Sequence, residues 1–410
     1  MEGFFVGRVV KVEEGLLTVE KGVETLKVYV KPPQIVGKLR ELIRNGNEAL
    51  VKVLIEGFVG RDCVKGSVEL VNVGVNSLGV DALDPSNPER FSKMSYLTIK
   101  LPKYRKVLKV QHELIKSFRN VLDSEGFIEL LPPVISPVSD PGLRGARKLT
   151  TELYGFKYEL TSSTIMFKQV AATALGKIYF MARNVREEPP HNLSTGRHLV
   201  EFTQLDLEWS GATVDDVIKL GEKLVYESCL DVKERLNHIV SEFNPDLKCF
   251  KPPYRRLSFK EVLEVVRGLG YEVSAGGELP QEAEEGLSKA FKEPFWIVGF
   301  PSSSRGFYYL KDERDPTVNR DFNLILPEGY GEVIDGGERE YRYEYVVNRL
   351  RELNEDLERY SWFLNALKAG IAPTAGFGLG VERYTRYLLK LRYVWEAVPF
   401  PKPPGVVGCP

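Results

Sequence analysis

The sequence predicts an α+β protein in which a small β-barrel precedes a larger domain with an antiparallel sheet flanked by helices. The first 75 residues consist of short segments with alternating apolar and polar positions, interrupted by one helical stretch. Beyond residue 104, strand-like segments alternate irregularly with a few long amphipathic helices, an order typical of α+β domains. The chain has 410 residues and is therefore long enough for two domains.

The N-terminal segments follow the order of three strands, one helix and two strands. This is the order of a five-stranded Greek-key barrel, the OB-fold, which we expect over residues 1–80. Over residues 81–103 the periodicity is lost and Pro, Ser and Asn accumulate, which predicts a linker. The larger domain is then expected to span residues 104–410.

Composition restricts the function only weakly. The formal net charge is −1, so no broad basic field indicates a nucleic-acid partner. Four cysteines, Cys63, Cys229, Cys249 and Cys409, show no paired spacing, and we expect neither a disulfide nor a transition-metal site. The N-terminus has no long apolar run, so we expect no signal peptide, no membrane span and a cytoplasmic protein.

Two segments of the larger domain carry the residue types that bind a nucleotide. "VREEPPHNLSTGRHLVEF" joins two strand-like runs and contains Arg186, Glu188, Arg197, His198 and Phe202. Guanidinium groups can hold phosphate oxygens, and an aromatic face can lie beneath a base. Taken alone, each arginine is more often the partner of a surface ion pair, with the phenylalanine in the core.

The second segment, "GFGLGVERY", places alternating glycines in a strand and Arg383 at the start of a helix, which is suited to a phosphate. A third segment, "GYGEVIDGGERE", has Glu332 and Asp335 around a predicted turn. Two carboxylates close to phosphate-binding arginines can hold magnesium, whereas the alternative is a simple turn between strand ends.

These segments resemble the class II aminoacyl-tRNA synthetases of the aspartate, asparagine and lysine subgroup. "GFIELLPPVIS", with Pro133, resembles motif 1, "VREE…GRHLVEF" resembles motif 2 and "GFGLGVERY" resembles motif 3. The resemblance implies ATP and Mg²⁺ as cofactors and a homodimer. Its implied ATP-binding residues are Arg186 on the α-phosphate, Arg197 and His198 near the outer phosphates, Phe202 on adenine, Glu332 on magnesium and Arg383 on the γ-phosphate. Glu188 also belongs to this set.

Arg186 and Arg383 are accordingly the expected catalytic residues. Asp335, the second expected metal ligand, stands where the family often has serine.

"YELTSSTIMFKQV" resembles the segment of aspartyl enzymes whose lysine meets the side-chain carboxylate of the substrate. Lys168 therefore favours aspartate, because asparaginyl enzymes do not normally have lysine there. Arg339 matches the arginine that holds the distal end of the substrate. A neutral amide would leave one of these two cations unpaired and buried. The other expected substrate-binding residues are Asp206, which would face the ammonium, Ser162, Ser163 and, in a variant loop, Asp140.

Several departures from the synthetase pattern, including "SDPGLRG" and "AVPFPKPPG", resemble the archaeal asparagine synthetases. That synthetase-derived family passes aspartyl-adenylate to ammonia. The expected reaction is therefore ATP-dependent amidation of aspartate to asparagine, with AMP and pyrophosphate as further products. The N-terminal 80 residues have 11 basic against 10 acidic residues and few aromatics, so a tRNA partner is not favoured.

Two alternatives remain open. The first is an aspartyl- or asparaginyl-tRNA synthetase with a divergent anticodon-binding domain. The second is a non-catalytic paralogue that binds nucleotide or RNA.

Overall fold

The computed structural model describes residues 3–30, 34–45, 47–60, 62–74, 83–139, 145–274, 277 and 279–408. The chain divides into two compact units, Met1–Lys109 and Val110–Pro410. The domain boundaries expected from the sequence stay predictions.

The first unit contains a closed five-stranded barrel with the strand order β1-β2-β3-β5-β4. Its elements are β1 (Gly3–Val12), β2 (Leu16–Lys21), β3 (Glu24–Val30), α1 (Gln34–Arg44), β4 (Glu48–Gly60) and β5 (Cys63–Gly74). Alternate residues of each strand point inwards, so that Val9, Leu17 and Val51 are buried in the barrel core. The predicted barrel is therefore confirmed, with its helix between β3 and β4.

The segment predicted as a linker contains two short helices, α2 (Pro88–Lys93) and α3 (Ser95–Thr98). Asn87 caps α2, because its side chain accepts a hydrogen bond from the backbone N–H of Arg90 at 3.0 Å. The helices are too short to show the apolar periodicity on which the sequence prediction relied.

The second unit is built on an eight-stranded sheet with the order β12-β13-β14-β15-β16-β11-β10-β6. Its strands are β6 (Ile128–Leu130), β10 (Lys177–Val185), β11 (Glu201–Ser210), β12 (Arg255–Ser258), β13 (Phe295–Val298), β14 (Asp321–Leu326), β15 (Gly331–Glu338) and β16 (Thr374–Gly380). All neighbours pair antiparallel except β10 with β6 and β12 with β13. A smaller sheet contains β7 (Ile135–Ser136), β8 (Thr150–Leu153) and β9 (Phe156–Leu160).

Helices pack around this sheet, which confirms the predicted α+β class. They are α4 (Pro102–Ser124), α5 (Ile165–Leu175), α6 (Val214–Arg235), α7 (Asn237–Phe243), α8 (Phe259–Gly268), α9 (Gln281–Ala290), α10 (Tyr343–Glu352), α11 (Ser361–Gly370) and α12 (Val381–Leu388). A capping box begins α6, since Asp216 accepts hydrogen bonds from the backbone N–H and the hydroxyl of Thr213. Within the described ranges, no helix combines the length and apolar character needed to cross a membrane.

The segment "GYGEVIDGGERE" is the central strand β15, so its prediction as a turn is wrong. Its glycines serve close packing between strands. A Cβ on Gly336 would collide with the backbone oxygen of Gly376 on β16, and one on Gly337 would lie 2.6 Å from the backbone oxygen of Arg320.

The expectation that no disulfide forms is also wrong. Cys229 on α6 is bonded to Cys249, with the two Cα atoms 5.6 Å apart. The sequence separation of 20 residues carries no signal by itself. The chain returns to α6 after α7, where the Lys233 ammonium donates a hydrogen bond to the Leu247 oxygen at 2.7 Å.

Replacing Cys249 with serine should lower the free energy of unfolding of the second unit by about 3 kcal/mol, because the closed loop no longer restricts the unfolded chain. The measurement is thermal or denaturant unfolding under oxidising conditions. Cys63→Ser is the matched control, since the thiol of Cys63 is free. Equal stability of Cys249→Ser and the wild type would contradict the bond.

Candidate active site

A cavity of about 600 Å³ lies over the sheet of the second unit. Its wall combines the β10–β11 connection, the centre of β15, the end of β16 with the first turn of α12, and α9. This volume is in the range of small-molecule sites. Most of the predicted site residues line it.

The β10–β11 pair supplies the first wall. The strands pair antiparallel from Lys177 with Trp209 to Val185 with Glu201, and Arg186 follows directly. The Arg186 guanidinium carbon lies 5.1 Å from the centre of the Phe202 ring, and its Nε donates to the Ser162 oxygen at 3.1 Å. An arginine and an aromatic face thus lie side by side at the cavity, as a nucleotide requires.

The connection between the strands carries two more predicted residues. Glu188 accepts a hydrogen bond from the Asn192 amide at 2.8 Å, and a 2.8 Å hydrogen bond joins His198 Nδ1 to the Thr195 hydroxyl. Burial, reinforced by the nearby positive charges of Arg383 and Arg197, lowers the pKa of His198 to about 3. The imidazole is therefore neutral at physiological pH.

Arg197 is buried and pairs with a residue that the sequence did not indicate. Its Nη2 donates to Glu284 Oε1 on α9 at 2.7 Å. Burial alone would raise the pKa of Glu284, but the Arg197 guanidinium, the backbone N–H of Glu332 and the charge of Arg383 together outweigh it, and the pKa falls to about 2. Glu284 belongs to a helix with ordinary surface periodicity, which is why no sequence pattern identified it.

The glycines of β16 make room for carboxylates of β11. A Cβ on Gly378 would lie 2.8 Å from Asp206 Oδ1, and one on Gly376 would collide with the Glu208 carboxylate. The strand ends at Gly380, and α12 then places Arg383 in its first turn. The glycine run is thus a packing requirement of the site.

Arg383 and Glu332 form a second ion pair. Arg383 Nη1 lies 3.1 Å from Glu332 Oε1, while Asn323 donates to the other carboxylate oxygen at 2.7 Å. Burial and the neighbouring Arg197 lower the pKa of Arg383.

Glu332 and Asp335 reach the cavity together because β15 contains a bulge. Residues three apart on a regular strand face opposite sides, but here Glu332 pairs with Ile325 and Ile334 with Leu324, so one extra residue intervenes. Asp335 accepts from Arg305 Nη1 at 2.7 Å and from the Tyr309 hydroxyl.

The two predicted metal ligands therefore differ. Glu332 lies next to a phosphate-binding candidate and fits a magnesium ion held mainly by phosphate oxygens. Both oxygens of Asp335 already accept hydrogen bonds, one of them from the cationic Arg305, so Asp335 fits such an ion poorly.

The other end of the cavity contains buried charges. Lys168 is 2% exposed, and its ammonium lies 3.2 Å from Asp206 Oδ1, 3.2 Å from the Phe377 oxygen and 3.7 Å from Glu208 Oε2. Thr164 also donates to Asp206, at 2.9 Å.

Arg339 completes this charge cluster. Its Nε donates to Glu208 Oε1 at 3.0 Å and its Nη2 donates to the Gly376 oxygen at 2.9 Å. Its Nη1 is buried and has no hydrogen-bond partner among the described residues. Glu208 was not among the predicted site residues, although its spacing of two from Asp206 places both on one face of β11.

The remaining predicted residues divide into three cases. Ser163 lines the cavity. The Ser162 hydroxyl instead forms a 2.5 Å hydrogen bond with the hydroxyl of Ser139, and only its backbone oxygen reaches Arg186. Asp140 lies outside the described residues.

A family model for the class II tRNA synthetases (D, K and N) matches residues 87–404. The chain belongs to this family. It is therefore an ATP-dependent ligase by membership, and its motif-containing strands are those of the class II fold.

Among curated class II tRNA synthetases, the asparagine–tRNA ligase of Pyrococcus abyssi is 32% identical over 334 residues, which are 78% of this chain and 75% of the relative. The aspartate–tRNA(Asp/Asn) ligase of Methanocaldococcus jannaschii is 28% identical over 344 residues, 82% of this chain and 76% of the relative. The solved asparaginyl-tRNA synthetase of Pyrococcus horikoshii, complexed with asparaginyl-adenylate, has a TM-score of 0.85 at 26% identity and covers 98% of this chain and 95% of its own.

These relatives correct two expectations. The chain was expected to be an asparagine synthetase that uses ammonia, with tRNA not favoured, and both expectations are wrong. The similar curated class II proteins are tRNA ligases, and the structural similarity extends over 98% of the chain, barrel included. The departures misled the prediction because the segments "SDPGLRG" and "AVPFPKPPG" lie outside the three motifs.

The neutral state of His198 predicts a pH dependence. As the pH falls below about 6.5, the unfolded chain increasingly binds a proton at this histidine and the folded chain does not, so the free energy of unfolding should fall, with a slope that approaches about 1.4 kcal/mol per pH unit between about pH 5.5 and 4. His198→Gln should remove this part of the slope, measured by denaturant unfolding at each pH. His238→Gln, at an exposed position, is the control. An unchanged slope in His198→Gln would contradict a neutral buried imidazole.

Proposed function

We propose that this class II enzyme activates aspartate with ATP and transfers it to tRNA. The observation that carries the proposal is the buried cluster of Lys168, Arg339, Asp206 and Glu208 at one end of a cavity whose other end contains arginines and Phe202. The first end suits a small charged amino acid and the second suits ATP.

ATP is supported by the chemistry of the second end. Arg186 beside Phe202 would hold the α-phosphate next to the base, while Arg197 and Arg383 would hold the outer phosphates. Glu332 would hold Mg²⁺ together with phosphate oxygens, and the ion would supply charge neutralisation there.

Aspartate is supported by a charge count. Lys168 and Arg339 carry two positive charges, and Asp206 and Glu208 carry two negative charges, so the buried cluster is neutral. In an aminoacyl-adenylate the α-carboxylate is consumed, which leaves the ammonium and the side chain. The negative side chain of aspartate cancels the positive charge of the ammonium, so the cluster with its ligand stays neutral. The neutral side chain of asparagine would leave the ammonium as one uncompensated buried charge.

Arg339 Nη1, which has no hydrogen-bond partner among the described residues, also supports placing the substrate side chain at this end of the cavity. A buried guanidinium N–H without a partner costs free energy, and a carboxylate oxygen of the substrate would satisfy it.

Asparagine is the second candidate. It is favoured by the names of the curated relatives from Pyrococcus and by the asparaginyl-adenylate in the solved neighbour. An amide oxygen would also satisfy Arg339 Nη1, so the charge of the side chain is what separates the two candidates.

The barrel supports tRNA as the acceptor. Phe4, Tyr29 and Phe58 are exposed on its surface, and the Lys52 ammonium lies 4.8 Å from the centre of the Phe4 ring. Exposed aromatics with an adjacent cation are the groups that stack on unpaired bases.

A homodimer is supported by a second set of exposed apolar residues. Leu131, Val134, Tyr154 and Phe156 lie in and around the strands β6 to β9 and are between 61% and 99% exposed. Large apolar side chains exposed together are typical of an interface.

Activation of aspartate needs no general base, because the attacking group is already a carboxylate. Its α-carboxylate oxygen attacks the α-phosphorus of ATP, and pyrophosphate leaves. A terminal hydroxyl of tRNA then attacks the mixed anhydride, and its proton passes to the phosphate of the departing AMP. Arg186 and Arg383 would stabilise the charge that develops on the phosphates, because their guanidinium groups are already positioned.

The decisive assay incubates the protein with ATP, Mg²⁺, total tRNA and either labelled aspartate or labelled asparagine. We expect aspartyl-tRNA, and AMP formation that depends on tRNA. Charging with asparagine alone would replace the first candidate by the second. AMP formed at the same rate without tRNA would overturn tRNA aminoacylation. So would the absence of aminoacyl-tRNA with either amino acid.

Lys168→Met tests the amino-acid assignment. It should lower the second-order rate constant for aspartate activation about 100-fold, because a buried charge pair is broken, and leave the KM for ATP nearly unchanged. Aspartate-dependent exchange of labelled pyrophosphate into ATP measures both. Lys219→Met, at an exposed position of α6, is the control. Unchanged aspartate activation would contradict the pocket assignment.

A further inference from the structure

Glu284 joins two parts of the ATP end of the site through one carboxylate oxygen. Its Oε1 accepts from Arg197 Nη2 at 2.7 Å and from the backbone N–H of Glu332 at 2.8 Å. The side chain is 15% exposed and comes from α9, which contains none of the three motifs. The contact therefore links the β10–β11 connection and strand β15 to a helix outside the motif-containing strands.

The Arg197–Glu284 pair is packed against bare backbone. Gly331 has φ +70°, and a Cβ there would lie 2.5 Å from Glu284 Oε1 and 2.6 Å from Arg197 Cζ. The glycine lets the backbone approach the pair so closely that neither side chain can move towards it.

Arg197 also has a hydrogen-bond donor that faces no acceptor among the described residues. The residue is 6% exposed, and its Nε is buried without a hydrogen-bond partner among the described residues. A buried N–H in this state costs about 1–3 kcal/mol. A phosphate oxygen bound at this point would satisfy it.

We propose that Glu284 is a positioning residue for ATP. Its carboxylate fixes the Arg197 guanidinium so that the unpaired Nε–H stays available to an outer phosphate, and it fixes the backbone of Glu332 on the same side of the cavity. This inference rests on the proposed ATP site. Donors held in place before the ligand arrives reduce the ordering cost of binding.

The Glu284 carboxylate forms an ion pair with the buried Arg197 guanidinium at 2.7 Å. It therefore also offsets the buried charge of Arg197 before ATP binds. A purely structural alternative is that Glu284 only anchors α9 to the sheet, with no effect on the nucleotide.

The experiment is direct calorimetric titration of the full-length protein with ATP and Mg²⁺, without amino acid or tRNA. The variants are Glu284→Ala, Glu284→Gln, Arg197→Ala and the double variant of Arg197→Ala with Glu284→Ala. Glu285→Gln is the matched control, since this neighbouring side chain is exposed and pairs with Lys289. Thermal unfolding of each variant shows that it is folded.

Glu284→Ala should weaken ATP binding about 30-fold, and Glu284→Gln less, because the amide keeps an oxygen acceptor. The double variant should lose clearly less ATP affinity than the sum of the two single losses, because Glu284 acts mainly through Arg197. Glu285→Gln should bind as the wild type does.

Two results would overturn the positioning role. One is unchanged ATP affinity in folded Glu284→Gln and Glu284→Ala. The other is a double variant whose loss equals the sum of the two single losses, because Glu284 would then act independently of Arg197.

The outcomes also separate this inference from the proposed function. A wild type that binds ATP with unaffected Glu284 variants removes only the positioning role. A wild type that binds ATP but does not charge tRNA removes only the proposed function, whereas a wild type that does not bind ATP removes both.

Discussion

The buried charges between β11, β15 and β16 are the constraint on which the site depends. Lys168, Asp206, Glu208 and Arg339 are each at most 4% exposed. Charges at this depth are tolerated only when they are paired and hydrogen-bonded. The cluster meets this condition almost completely, with Thr164 and Thr374 donating to the two carboxylates. The one buried donor left over among these side chains, Arg339 Nη1, belongs to a cavity-lining residue.

The close approach of the strands follows from the same constraint. The carboxylates of β11 occupy space that a Cβ on β16 would fill, so β16 alternates glycine with large apolar residues. Phe377 and Leu379 are fully buried, whereas Gly376 and Gly378 leave room for Glu208 and Asp206. One strand thereby serves the hydrophobic core on one face and the charged site on the other.

The ATP end repeats this arrangement with partners from distant elements. Arg197 pairs with Glu284 across 87 residues of sequence, and Arg383 pairs with Glu332 across 51. Both arginines that we assign to the outer phosphates, Arg197 and Arg383, are thus held by carboxylates. The carboxylates hold the arginine side chains in position and balance their charge before the phosphates of ATP bind.

The sequence by itself determined the barrel and the α+β class, and most of the site residues that it singled out line the cavity. Alternation, glycine spacing and the three motifs are local signals, because each can be recognised within a short segment of the sequence. The same locality explains the failures. β15 was interpreted as a turn because its glycines serve packing between strands, and the Cys229–Cys249 bond depends on a chain reversal after α7.

Only the tertiary structure decided which residues share the site. The bulge in β15 turns Glu332 and Asp335 to one side, and the fold brings Glu284 to Arg197 and Arg305 to Asp335. These contacts join elements far apart in sequence, and a single side chain in a helix or loop carries no periodic signal of its distant partner. The comparisons with other proteins, in turn, overturned ammonia as the expected acceptor, which no local sequence pattern had excluded.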